Sequence, residues 1–298
     1  MTVTREQLVA VKCDFPTDRV ADPEMTAFKQ EARYRQHQWA VSTKGIAEFG
    51  SHGNTKRAIK MGKDPRIPNG TKLTASDAEE GKNFLSDEIR EAVQHRIDHP
   101  QKYQTFDVAR LRGDLLSSMP MAFNLFGEAS RQEESKQALA RLLAPDAKGP
   151  IDIVFEWSPE RRSLDYTRDR TAFDVAIRIG EGPRTVIGIE TKYHEHSTRE
   201  KKPTAKQLPH YEEQTEFLLG KAEKSGVFAN GWQDKVLTTD LRQIWRDHLL
   251  ALSMREHAAE WTSSTRYVLI YPHRNVSYRD AVTEYGSSCG PATTPLCT

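Results

Sequence analysis

The sequence predicts an α/β fold in which helices flank a mixed central sheet. Three apolar, strand-like runs follow one another closely in the middle of the chain, and a fourth stands near its end. Segments with helical periodicity precede the first run and separate the third from the fourth. The order helix, three strands, helix, strand is typical of a sheet that combines antiparallel and parallel pairing.

Residues 1–112 are polar and predict a mainly helical N-terminal accessory region. Pro23 begins one amphipathic pattern, and Ser76 is the candidate N-cap of a second long helix. Between them, the stretch 50–70 is rich in Gly, Asn, Lys and Pro and predicts a loop.

Residues 113–284 carry the pattern of the core domain. Ser117 and Ser118 before Pro120 predict the start of a helix, and a further helix ends near Pro145. A later helix covers QLPHYEEQTEFLLGKA, and a helical insertion at about 221–262 contains LRQIWRDHLLALSM. The final segment 285–298 is of low complexity and predicts a flexible tail. The four strand-like runs are IDIVFEW (151–157), TAFDVAIRI (171–179), TVIGIETKY (185–193) and RYVLIYP (266–272).

Composition restricts the class of protein. Of 298 residues, 37% are apolar and 29% charged, with a net charge of +1, which indicates a globular protein without a global field toward polyanions. Three cysteines without CxxC spacing argue against a disulfide framework and favour a reducing compartment. The sequence contains no signal-peptide pattern and no apolar run long enough for a membrane span, so we expect a cytoplasmic location and no membrane partner.

Charged residues interrupt the apolar pattern of the second and third runs. Asp174 falls on the opposite face from the alternating apolar residues of its run. Glu190 and Lys192 are two residues apart, so the strand period places them side by side on one face. Because buried charges need partners or a metal, we expect Asp174 and Glu190 to hold a divalent cation beside Lys192. The alternating apolar residues are Phe173, Val175, Ile177 and Ile179.

This combination of residues suits phosphodiester hydrolysis. Carboxylate oxygens prefer hard ions such as Mg²⁺ or Mn²⁺. Such an ion polarises a phosphate and lowers the pKa of a bound water, while an ammonium group positions that water or offsets developing charge.

Asp174, fifteen intervening residues and then Glu190-Thr191-Lys192 resemble the D…(D/E)xK signature of the PD-(D/E)XK nuclease superfamily. The resemblance covers roughly residues 114–272 and implies a restriction-endonuclease-like fold. It implies catalytic roles for Asp174, Glu190 and Lys192, and a metal ligand at the backbone carbonyl of Thr191. Phe173 stands where the family signature has proline.

The resemblance implies further site residues. The helix before the sheet supplies another acid in this family, for which Glu128 is the candidate catalytic and metal-binding residue; Glu156 is a rival, and Glu195 a supporting acid beyond the strand. Gln207 and Tyr211 resemble the QxxxY motif of RecB-like and related exonuclease branches and share one helical face. Pro209 between them predicts that the helix begins there.

Two basic loops flank the candidate site and predict contacts with nucleic-acid phosphates. We expect a Mg²⁺-dependent deoxyribonuclease in a restriction, repair or mobile-element defence setting, with DNA favoured over RNA. The alternative is a nuclease-like fold without activity that acts as a nucleic-acid-binding or assembly subunit; a homodimer or a partner subunit stays open. The loop cations are Arg161, Arg162, Arg168 and Arg170 in the first loop, and Lys201, Lys202 and Lys206 in the second.

Overall fold

A computed structural model describes residues 3–51, 68–198 and 203–290. Three predictions lie wholly or partly outside these residues. They concern the phosphate-binding residues Lys201 and Lys202, most of the loop 50–70 and the end of the tail. No helix in the described segments combines the length and the apolar character that crossing a bilayer requires.

The N-terminal region is mainly helical, as predicted. The helix predicted from Ser76 is in fact two helices, because Thr74 caps the first, Ser86 caps the second, and Gly81 between them has a left-handed φ of 73° that helices do not accommodate. The helices of this region are α1 (Arg5–Ala10), α2 (Pro23–Lys44), α3 (Ala75–Glu79), α4 (Asp87–Asp98) and α5 (Val108–Gly113).

The remaining elements form a four-stranded mixed sheet among helices, which confirms the predicted fold class. In the strand order β1-β2-β3-β4 the first three strands are antiparallel, and β4 is parallel to β3. The helices between β3 and β4 provide the crossover that a parallel pair needs. The elements are α6 (Ser118–Phe126), α7 (Glu133–Leu143), β1 (Ile151–Trp157), β2 (Phe173–Ile179), β3 (Thr185–Thr191), α8 (Leu208–Ser225), α9 (Trp232–Thr238), α10 (Arg242–Met254), β4 (Arg266–Ile270) and α11 (Val276–Gly286).

Each face of the sheet has its own apolar cluster. On one face, Val175, Ile177 and Ile187 pack with residues of α4 and α6. Phe84 and Leu111 belong to this same cluster, so part of the predicted accessory region packs against the core of the sheet. On the other face, α10 covers β2 and β3, and its side chains meet Ala176 and Val186.

Helix α11 closes the fold, although the sequence pattern left this element unassigned. Val276, Tyr278, Ala281 and Tyr285 are buried along one side of it. The packed chain then continues to residue 290, where the Gly290 amide donates to the carbonyl of Val227. The described residues therefore include the first six residues of the segment 285–298 that was predicted as a tail.

Phe173 departs from the predicted alternation of β2. It packs in the same cluster as Ala176 instead of sharing the face of Val175, and its ring lies directly over Gly188. A Cβ atom added to Gly188 would meet that ring at 2.4 Å. Glycine at this position therefore allows the aromatic ring to pack directly on the sheet next to the charged ends of β2 and β3.

Gly188→Ala will lower the free energy of unfolding by about 1–3 kcal/mol, because the new methyl group overpacks against Phe173. The matched control is Gly220→Ala in the interior of α8, where an added Cβ meets nothing within 4 Å. That change will raise the free energy of unfolding by about 0.5–1 kcal/mol, because alanine favours a helix. Urea denaturation of both variants measures the difference, and equal effects would contradict the close packing at Gly188.

Candidate active site

Strands β2 and β3 separate where the candidate site begins. Their ladder ends at the pair Val175–Ile189, one residue before Asp174 and Glu190. Beyond it, Asp174 Oδ2 accepts hydrogen bonds from the Thr191 amide at 2.8 Å and from Thr191 Oγ1 at 2.7 Å. A carboxylate thus replaces the backbone partner of Thr191, which fixes Asp174 between the two strands.

Glu190 and Lys192 form a buried ion pair. Lys192 Nζ donates to Glu190 Oε1 at 2.6 Å, and the two residues are only 8% and 6% exposed. The contact agrees with the two-residue strand period. Burial lowers the pKa of Lys192, but attraction to Glu190 outweighs this and raises it, so the ammonium stays charged.

Glu156 lies opposite Asp174 on β1, since the residues on either side of Glu156 pair with those on either side of Asp174. Its φ of 49° turns its backbone out of the ladder. Its carbonyl oxygen accepts instead from Arg161 Nη2 at 2.8 Å and Arg96 Nη2 at 3.2 Å. Two buried guanidinium groups therefore stabilise this strained backbone beside the candidate site.

Helix α10 contributes two residues that the sequence interpretation missed. Gln243 Nε2 donates to Glu190 Oε1 at 3.1 Å, and Asp247 follows one turn later. Asp247 is buried, as are Ile244 three residues before it and Ala251 four residues after it. An acid on the buried face of an amphipathic helix was the available signal, because such a charge needs a partner.

Four carboxyl groups of these elements consequently act on one another electrostatically. Burial, followed by repulsion from Asp174, raises the pKa of Glu190 to about 7 and that of Glu156 to about 8. Burial raises the pKa of Asp174, against the attraction of Lys192. The pKa of Asp247 is raised well above its ordinary value by burial and by repulsion from Glu190. The folded state therefore disfavours the charged forms of all four groups, although Lys192, Arg161 and Arg246 each attract one or more of them.

The loop after Lys192 is held from two sides. Asn275, which is fully buried, donates from Nδ2 to the carbonyls of Tyr193 at 2.9 Å and Glu195 at 2.8 Å. From α2, Lys29 Nζ donates to the carbonyl of His194 at 2.9 Å. The N-terminal region thus helps to position the loop that leaves the site.

Glu195 supports the same loop. Its carboxylate accepts from the Tyr193 amide at 3.0 Å, from Ser118 Oγ at 3.0 Å and from Arg110 Nη2 at 3.2 Å. These bonds join the end of β3 to the first residue of α6.

The structure does not bring Glu128 to this cluster. The site contacts α6 at its first residue, where Thr191 Oγ1 lies 3.2 Å from the carbonyl oxygen of Ser118. Glu128 is exposed beyond the other end of that helix, ten residues later. A rise of about 1.5 Å per residue separates the two by roughly 15 Å along the axis. Glu156 and Asp247, not Glu128, are the acids that accompany Asp174 and Glu190.

The QxxxY residues lie at the start of α8, where Pro209 occupies the first turn as predicted. The exposed Gln207 accepts hydrogen bonds from Thr204, which occupies its side-chain oxygen. Tyr211 is half-buried, and its ring lies 4.4 Å from the guanidinium of Arg242, the neighbour of Gln243 in α10. Tyr211 therefore contacts the helix that supplies Gln243 to the site.

The predicted phosphate contacts differ in accessibility. Arg161 is buried and bound to Glu156, so it positions β1 and does not suit a phosphate contact. Arg162 lies over the ring of Tyr103, and Arg168 pairs with Glu213. Arg170 and Lys206 are exposed.

The residues present fit a divalent cation. In the described part of the chain no three His, Cys, Asp or Glu side chains are already arranged around a common point. The donor chemistry nevertheless suits a hard ion, because several carboxyl groups lie here, and burial followed by repulsion among them raises their pKa values. A buried oxygen of Asp247 also has no hydrogen-bond partner among the described residues.

The fold and the site define a class of protein. A mixed sheet flanked by helices, with an aspartate, a glutamate and a lysine at the separating ends of two adjacent strands, is the architecture of a nuclease-like α/β protein. The model of the PD-(D/E)XK nuclease superfamily matches residues 21–296, and the chain belongs to this superfamily. Superfamily membership implies phosphodiester hydrolysis on nucleic acid, typically with a metal ion. Neither a curated protein nor a solved structure matches the chain significantly.

Replacing Glu156 by glutamine will change how stability depends on pH in metal-free protein. The pKa of Glu156 is about 8 in the folded state against an ordinary 4.5, so the folded state holds its proton more tightly than the unfolded state. Stability from this group is full at low pH and decreases as pH rises toward 8, by at most about 1.4 kcal/mol per pH unit. Glu156→Gln lacks this loss and will gain stability relative to the wild type between pH 5 and pH 8.

Urea denaturation in EDTA across that pH range measures this difference in the free energy of unfolding. Glu128→Gln provides the control, since it makes the same substitution at an exposed carboxylate. A constant difference for Glu156→Gln would contradict the charge accumulation in the site.

Proposed function

We propose that the chain is a divalent-cation-dependent nuclease that hydrolyses phosphodiester bonds in DNA. The observation that supports this most is the convergence of Asp174 with the buried pair of Glu190 and Lys192 at the ends of β2 and β3. A superfamily member without activity would have no need to keep such costly charges together.

Asp174, Glu190 and the backbone carbonyl of Thr191 would hold the cation. Hydrogen bonds within the described residues reach each carboxylate through one oxygen only, Oδ2 of Asp174 and Oε1 of Glu190. The second oxygen of each carboxylate is thus available as a ligand. When bound, Mg²⁺ or Mn²⁺ supplies Lewis-acid polarisation of the phosphate and lowers the pKa of a coordinated water.

Lys192 has a separate role. Its ammonium stays charged because Glu190 neutralises the cost of burying it. At this position it orients the attacking water through a donated hydrogen bond and offsets the negative charge that develops on the phosphate. Gln243 keeps Glu190 in place from the opposite side, with its amide bonded to the same oxygen that Lys192 contacts.

The proposed substrate is DNA, bound through its phosphates along the edge where the sheet ends. Arg170 and Lys206 are exposed and available for this contact, and Arg168 becomes available when its surface pair with Glu213 opens. Lys201 and Lys202 belong to the same proposal on sequence grounds. Binding through such contacts weakens steeply as salt increases.

Cleavage will require both the cation and the three central side chains. Purified protein incubated with double-stranded, single-stranded and supercoiled DNA and with RNA, in Mg²⁺ or Mn²⁺, will cut at least one DNA substrate and will stop in EDTA. Asp174→Asn and Lys192→Ala will lower the rate by roughly 100-fold or more, because each removes charge needed in the transition state. Gel electrophoresis of labelled substrates measures these rates.

Glu128→Gln is the matched control, since it makes the same carboxylate-to-amide change at the exposed end of α6. It will cut at the wild-type rate. Folded variants that cut as fast as the wild type would contradict the assignment of the three residues. Cleavage of RNA alone would correct the substrate, and failure to cut any substrate would favour a nucleic-acid-binding or assembly role.

A further inference from the structure

The side chain of Asp247 is buried and is not fully hydrogen-bonded within the described residues. The residue is 6% exposed, and its Oδ2 atom is buried without a hydrogen-bond partner among the described residues. A buried polar atom without a partner destabilises the folded state, and more so when it is charged. Because this atom lies in a helix that covers the candidate site, we looked for a ligand that could bind it there.

Its surroundings point toward the site. Glu190, Lys192 and Asp174 are among the charges that interact with Asp247, and Glu190 is the strongest of them. Gln243, four residues earlier and therefore on the same face of α10, touches Glu190 directly. This face of α10 thus presents both an amide and a carboxylate to the end of β3.

A second unpartnered group lies in the same place. The hydroxyl oxygen of Tyr267 on β4 is buried without a hydrogen-bond partner among the described residues. Burial raises the pKa of Tyr267, and Asp247 and Glu190 are the charges that raise it further. A hydroxyl donor and a carboxylate acceptor remain unpaired near Glu190, which is the arrangement of a polar pocket that receives an ion or its water.

We propose that Asp247 is a third carboxylate of the cation site, supplied by the helical insertion between β3 and β4. The inference rests on the proposed function in that it concerns the same divalent cation. Burial and repulsion from Glu190 disfavour the charged form of Asp247, and a bound cation would offset both, since Lys192 is already paired with Glu190. The insertion is therefore part of the site, and it takes the place that the sequence interpretation gave to Glu128.

Mn²⁺ binding in the absence of nucleic acid tests this assignment. Isothermal titration calorimetry and the electron paramagnetic resonance signal of free Mn²⁺ give the affinity of the full chain. Asp247→Asn, which keeps the shape and removes the charge, will bind Mn²⁺ at least 10-fold more weakly than the wild type. Asp174→Asn will lose affinity similarly, and Glu128→Gln will retain wild-type affinity.

Thermal unfolding supplies an independent readout. In EDTA, Asp247→Asn will unfold at the wild-type temperature or above it, because the folded state disfavours the charged form of this carboxyl group and asparagine carries no charge. Added Mn²⁺ will raise its midpoint by less than it raises that of the wild type. If the asparagine variant does not fold, Asp247→Ser provides the same comparison with a smaller side chain.

The outcomes separate this inference from the proposed function. Wild-type affinity for Mn²⁺ in folded Asp247→Asn would overturn the role of Asp247, even if the protein cleaves DNA. Weakened Mn²⁺ binding in that variant would support the role even if no nucleic acid is cut, in which case only the proposed nuclease activity fails. A wild-type protein that binds no Mn²⁺ would overturn both.

Discussion

The buried pair of Lys192 and Glu190 is the interaction on which the rest of the site depends. Both residues are almost fully removed from solvent, and the ammonium is the one cation in contact with a carboxylate at the end of β3 within the described residues. Asp174 and Asp247 add negative charge nearby, and burial disfavours their charged forms. The divalent cation that we propose would stabilise the charged forms of these carboxyl groups, because carboxylate oxygens are the ligands that a hard ion prefers.

Elements far apart in the chain hold this arrangement. Helix α2 binds the loop after Lys192 through Lys29, and Asn275 at the start of α11 binds it from the other side. Gln243 in the insertion holds Glu190. The N-terminal region and the insertion therefore contribute to the candidate site, since the first binds a backbone carbonyl beside it and the second binds the side chain of Glu190.

Local patterns in the sequence were sufficient for the sheet and for its central charges. Strand β1 begins and ends where the apolar run predicts, and the two-residue period brought Glu190 to Lys192. The period failed at Phe173, which packs with its strand partner Trp157 on the other face, next to the positive φ of Glu156. Asp247 was missed for a different reason: its proximity to Glu190 arises from the packing of α10 on the sheet, and no spacing along the chain encodes that contact. The family resemblance indicates Glu128 as a further acid of the site, but the length of α6 places this residue beyond the end of the helix that is remote from the site.

Anomalous scattering from a crystal of the protein soaked in Mn²⁺ tests the central claim most directly. We expect one strong peak for Mn²⁺ at the separating ends of β2 and β3. It will lie between the carboxylates of Asp174 and Glu190 and the carbonyl of Thr191, with Asp247 facing it. Lys192 would remain beside this peak with its ammonium near Glu190. A map without a peak at this position, in a crystal whose strands and side chains are otherwise ordered, would contradict the account.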